Sequence, residues 1–112
     1  MLKKGKIVLI PFPFTDLSAS KVRPAVIVSN FSQGEDIVVA FISSAKNKLQ
    51  KTDIVLNSND KYFSKTGLKT NSVIKIGKIA TLDKKIILGE MGEVSIDIER
   101  EINKKIKILF GL

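Results

Sequence analysis

Apolar residues along this chain fall into short runs broken by turn-forming residues, the spacing of a small β protein. "KIVLIPF" (6–12) is aliphatic and β-branched and stops at Pro11 and Pro13, which predicts a first strand. "PFTDLSASK" (13–21) has Pro, Asp and Ser without periodicity and predicts an exposed loop. "RPAVIVSN" (23–30) predicts a short buried strand, with Pro24 tolerated at its start. "SQGED" predicts a turn, and "IVVAFISS" (37–44) a near-continuous apolar strand. "AKNKLQKTD" (45–53) is polar and basic, "IVLN" (54–57) predicts a short strand, and "NDKYFSKTGLKTN" (59–71) a loop with a helical turn. "SVIKIGKIATL" (72–82) alternates loosely around lysines at 75 and 78, and "KIILGEMGEVS" (85–95) predicts another short strand and a glycine turn.

The period changes in the last segment. In "SIDIEREINKKIKILFGL", Ile98, Ile102, Ile106, Leu109 and Phe110 recur at spacings of three and four, which predicts one apolar helix face. Ser95 is placed to cap this helix, acids at 97, 99 and 101 suit its positive end, lysines at 104, 105 and 107 its negative end, and Gly111 its stop. About five short strands closed by one terminal helix predict a mainly β fold with α, a small and strongly bent sheet or barrel. No repeat or linker divides the chain, so residues 1–112 read as a single domain.

Composition narrows the chemistry. With 44% hydrophobic and 27% charged residues, the chain has the balance of a globular protein rather than a disordered one. It has no cysteine, which removes disulfides, thiolate metal sites and a cysteine nucleophile. It has no histidine either, so any catalysis proceeds without the commonest general base and the commonest metal ligand. The longest apolar stretches fall far short of the roughly 20 residues of a membrane helix. "MLKKGK" leads into a strand-like run without a cleavage site, which predicts a cytoplasmic protein without a signal peptide. The net charge of +8 favours a polyanionic partner: nucleic acid, an acidic protein or a membrane surface. Against 17 lysines stand only two arginines, Arg23 and Arg100, which singles out the arginine in front of Pro24.

"KKGKIVLIPFPFTD", "SKVRPAVIVSN", "VAFISS", "TGLKTNSVIKIGKIATLDKK" and the terminal helix, in this order and at these spacings, resemble the MazF/PemK family of toxin endoribonucleases, from about Lys4 to Leu109. The resemblance implies a compact SH3-like β-barrel with appended helices, usually a homodimer. It implies the toxin half of a type II toxin–antitoxin operon: a growth inhibitor that cleaves single-stranded RNA at short preferred sequences without a metal or other cofactor. It further implies a cognate acidic antitoxin that lays a partly disordered segment across the RNA groove and joins the toxin in binding DNA. Two other classes remain open: a non-nucleolytic, gyrase-binding toxin of the CcdB type, and a catalytically degenerate RNA binder. The first is disfavoured by an "ILFGL" terminus that lacks the tryptophan usual in that group.

The resemblance also assigns residues. Arg23 matches the catalytic arginine, and a planar guanidinium can clamp a phosphoryl group with paired hydrogen bonds where lysine offers a point charge. Ser43 matches the hydroxyl residue that relatives place opposite that arginine, with Ser44 beside it; without the resemblance, two serines at a strand end read first as a turn cap. Thr15, Asp16 and Lys21 belong to a loop that borders the RNA groove in this family, or to an ordinary solvated loop. Lys46, Lys48, Lys69, Lys75 and Lys78 read as phosphate contacts or as solvated charges. Phe12 and Phe14 read as stacking platforms, dimer contacts or the edge of the core. The sequence departs from some relatives, which pair an arginine with an acid two residues on in this strand. Lys75 and Gly77 stand at those positions, leaving the general base unassigned.

Overall fold

In the computed structural model, which describes residues 2–11, 21–29, 34–44 and 48–112, the apolar runs form six strands. These are β1 (Lys6–Pro11), β2 (Val22–Ile27), β3 (Asp36–Ser44), β4 (Asp53–Leu56), β5 (Ser72–Asp83) and β6 (Gly89–Glu93). They lie in the order β4-β5-β3-β2-β1-β6, every pairing antiparallel, and the sheet curls into a half-barrel with α1 (Ile96–Phe110) at the end of the chain. The expected small, strongly bent β fold with a C-terminal helix is present, with six strands rather than five. Phe12 and Phe14 lie outside the described residues.

Side-chain alternation divides the strands between two faces. One face presents Ile7, Val26, Ala40, Ile42, Ile54, Leu56, Ile74 and Ile76, which pack with Ile98, Ile102 and Ile106 of α1. The other presents Val8, Ile10, Ala25, Ile27, Ile37, Val39 and Phe41, packed with Leu2, Ala80, Leu82 and Ile87. The loose alternation of β5 has a structural cause. Ala40 pairs with Ile79 and Phe41 with Lys75, so Ile76, Gly77 and Lys78 form a three-residue bulge in β5. An odd insertion reverses the pleat: Lys75 lies on the second face, and so, past the bulge, do the even-numbered Ala80 and Leu82.

The caps of α1 follow the sequence. The Ser95 hydroxyl accepts the Ile98 amide at 3.3 Å, and Gly111 ends the helix with φ +70°. The apolar stripe is shorter than its spacing predicts. Ile102 is fully buried and Ile98 and Ile106 are packed on the sheet, whereas Leu109 and Phe110 are 37% and 58% exposed, because the last turn of the helix extends past the apolar surface the sheet offers. The helical turn expected within 59–71 is a 3-10 turn, Phe63–Thr66, pressed onto β6. Two glycines permit that approach: a Cβ on Gly67, which has φ +76°, would sit 2.3 Å from the Met91 carbonyl oxygen, and one on Gly92 2.1 Å from that of Lys65.

Candidate active site

Pleat and register bring the singled-out residues together at one corner of the second face. Ala25 on β2 pairs with Phe41 on β3, and continuing that register two residues along each strand sets Arg23 level with Ser43. Phe41 in turn pairs with Lys75 on β5, and Lys75 with Asp53 on β4. Two adjacent rows therefore cross the sheet on one face, Arg23–Ser43 and Phe41–Lys75–Asp53.

Arg23, Phe41, Ile42, Ser43, Lys75 and Lys78 line a cavity of about 200 Å³. Beside it, Gln50, Thr52, Asp53, Gly77 and the same two lysines line a second cavity of about 390 Å³. Lys75 and Lys78 form the partition between the two. Lys78 reaches both cavities from within the β5 bulge, and Lys75 from its pair with Phe41 just before the bulge. Arg23 is half-buried, with Pro24 following it in the strand, so its backbone is stiff where the guanidinium leaves the sheet.

Asp53 is the residue that sequence reasoning missed. Its side chain is 2% exposed, and Oδ2 accepts the Lys75 ammonium at 2.9 Å and the Gln50 amide at 2.7 Å. A buried carboxylate is costly unless paired and hydrogen-bonded, and these two donors meet that requirement. Lys75 is accordingly an ion-paired side chain, with a quarter of its surface open. Only a weak signal in the sequence pointed to the pair, an acid just ahead of an apolar run and a lysine set between two isoleucines.

The other assigned residues are dispersed. Ser44, next to Ser43 on β3, falls on the helix side of the pleat, pairs with Ser72 and is exposed. Lys21 is exposed just ahead of β2, Lys48 is exposed ahead of β4, and Lys69 is exposed ahead of β5; none lines either cavity. Thr15, Asp16 and Lys46 lie outside the described residues. Among the described residues no group of three or more acidic side chains could hold a metal ion, and the groups lining the two cavities are a guanidinium, two ammonium groups, two hydroxyls, a carboxamide and one carboxylate. Such a set can bind a phosphodiester, hold charge on its oxygens and orient it.

Comparison with known proteins places the chain. The family model for the PemK-like, MazF-like toxin of type II toxin–antitoxin systems matches residues 3–110. Among solved structures, an endoribonuclease in complex with its cognate antitoxin from a mycobacterial species superimposes with a TM-score of 0.75 at 19% identity, covering 98% of this chain and 95% of that one. A MazE–MazF structure from Deinococcus radiodurans gives 0.76 at 18% identity over 98% and 96% of the two chains. The Mycobacterium tuberculosis toxin MazF-mt6 gives 0.71 at 18% identity over 96% and 97%. At these identities the likeness establishes the fold. No curated protein matches the chain in sequence.

Proposed function

Because the chain belongs to the family of PemK-like, MazF-like toxins of type II toxin–antitoxin systems, we propose that it is an endoribonuclease that cleaves single-stranded RNA with sequence selectivity and without a metal ion. The observation that carries this reading is the meeting of Arg23 and Ser43, from neighbouring strands, in one cavity whose wall is completed by Lys75 and Lys78. Solved relatives are described as endoribonucleases, which agrees with it.

The RNA supplies its own nucleophile. The 2′-oxygen attacks the adjacent phosphorus as its proton leaves, the bond from phosphorus to the 5′-oxygen breaks, and that oxygen takes up a proton. The products are a 2′,3′-cyclic phosphate and a 5′-hydroxyl. The protein must bind the phosphate and hold the charge that grows on its oxygens. Arg23 does the latter with a planar, permanently charged donor set. The Ser43 hydroxyl orients the phosphate by donating a hydrogen bond to one of its oxygens. Lys75 and Lys78 hold the strand by its phosphates, a task indifferent to base identity.

The same basic surface suits an acidic antitoxin, and the complex of a similar toxin with its cognate antitoxin supports such a partner here. The proposed protein is a homodimer that acts in the cytoplasm, arrests growth by cutting RNA and binds DNA together with its antitoxin. Among the described residues no helix is long and apolar enough to cross a membrane. Incubating the protein with a long unstructured RNA in EDTA, beside Arg23→Ala, tests the reading. Cuts at a recurring short sequence, lost in the variant, are the expected result; RNA that is bound yet stays intact overturns it and leaves a binding protein.

A further inference from the structure

We propose that Asp53 is a positioning residue that acts through Lys75, fixing its ammonium group against the phosphate to be cleaved; the inference rests on the ribonuclease reading above. The carboxylate is held before any ligand arrives. The Gln50 backbone N–H donates to Asp53 Oδ2 at 2.7 Å while the Asp53 backbone N–H donates to the Gln50 backbone carbonyl oxygen at 3.0 Å, so a reciprocally closed turn fixes the acid. Aspartate suits this turn, because an extra methylene would carry the carboxylate past the Gln50 amide. Asp53 lines the second cavity and not the first, whereas Lys75, its ion-pair partner, lines both, so the contact from Asp53 toward Arg23 and Ser43 runs through that lysine.

A lysine side chain at a cavity wall has four flexible bonds, and holding it in one place costs entropy each time a ligand binds. The ion pair to Asp53 meets that cost in the folded protein. It uses one of the three ammonium protons and leaves two for phosphate oxygens. An acid in a polyanion groove nonetheless opposes binding by its charge. Positioning and electrostatics thus predict opposite signs for its removal: the RNA should be held more tightly and cut more slowly.

The experiment compares the wild type with Asp53→Asn, Asp53→Glu, Lys75→Met and the Asp53→Asn/Lys75→Met double variant. It reads the affinity for a 2′-O-methyl oligonucleotide, whose blocked hydroxyl prevents cleavage, and the rate of cutting saturating RNA in EDTA. It also reads the Lys75 ¹⁵Nζ resonance, which a carboxylate partner keeps visible by slowing proton exchange. In Asp53→Asn the oligonucleotide should bind as well as or better than to the wild type, while cutting falls about ten-fold, the loss of one charge-assisted hydrogen bond. Asp53→Glu keeps the charge and should also cut more slowly. The double variant should be no slower than Lys75→Met alone, since the two residues act as one unit.

Wild-type rates in Asp53→Asn or Asp53→Glu overturn the inference and leave the ribonuclease reading intact. A slow Asp53→Asn beside a fast Lys75→Met also overturns it, because Asp53 would then act on its own. A wild type that binds but never cuts overturns the ribonuclease reading. The Lys75 signal then decides only whether Asp53 holds the lysine on a bound phosphate: a shift on binding in the wild type and loss of the signal in Asp53→Asn support that positioning, and an unmoved signal overturns it.

Discussion

On β3, Ile42 is buried in the helix-side core while its neighbour Ser43 presents its hydroxyl at the opposite cavity; on β5, Ile74 and Ile76 flank Lys75 in the same way. The helix side is apolar at every one of these positions. On the other side an apolar centre of Val8, Ile10, Ala25, Val39 and Phe41 gives way, at one corner, to Arg23, Ser43, Lys75 and Asp53. A pleated sheet thus lets one strand contribute to stability with one residue and to chemistry with the next. Substitutions one position apart should therefore separate folding from cutting.

The sharpest test of that separation is Arg23→Ala, expected to lower the cutting rate by about 10²–10³-fold, the usual loss for a donor aimed at developing charge. Its thermal unfolding should stay close to that of the wild type; a large drop in unfolding temperature would show that Arg23 belongs to the fold instead. Arg23→Lys should recover little of the rate, because a point charge does not replace a planar fork.

The mirror-image test is Ile102→Ala in the helix-side core, where a fully buried side chain is lost. Denaturant unfolding should show about 2–5 kcal/mol of destabilisation. Cutting per folded molecule should be unchanged, and a loss of rate out of proportion to the folded fraction would break the comparison.

Finer resolution comes from the two serines. Ser43→Ala should slow cutting about ten-fold through loss of a hydrogen bond to a charged group. Ser44→Ala, one residue on but across the pleat, should stay within about two-fold of wild type, as surface substitutions usually do. Equal effects in single-turnover assays would mean that both serines reach the RNA and that the face assignment fails.

Local signals in the chain went a long way toward the fold. Ser95, Gly111 and the 98–102–106 spacing define α1, because caps and periodicity involve residues within one or two turns of each other. The end of the stripe was misleading. Leu109 and Phe110 obey the helical period, but only the breadth of the sheet decides whether anything lies beneath them. The β5 bulge was visible only as imperfect alternation, since its existence depends on pairing with β3.

At the site, Arg23 stood out as a guanidinium in a lysine-rich chain, and Ser43 through the family resemblance. Asp53 did not, because its partner is 22 residues away on another strand and nothing near it in sequence marks it as buried. The same pairing accounts for Lys75, whose sequence looks like any solvated charge.

The β5 bulge also imposes an arithmetic on this stretch of chain. An ordinary loop tolerates any change of length. Here the three spare residues set the phase of the strand, so gain or loss of two keeps Lys75 beside the cavity, whereas gain or loss of one turns Ile74 toward it and drives the lysine under the helix. Length changes in this segment should therefore preserve the site in even steps and disrupt it in odd ones, a parity that couples the length of one bulge to the charge of the site.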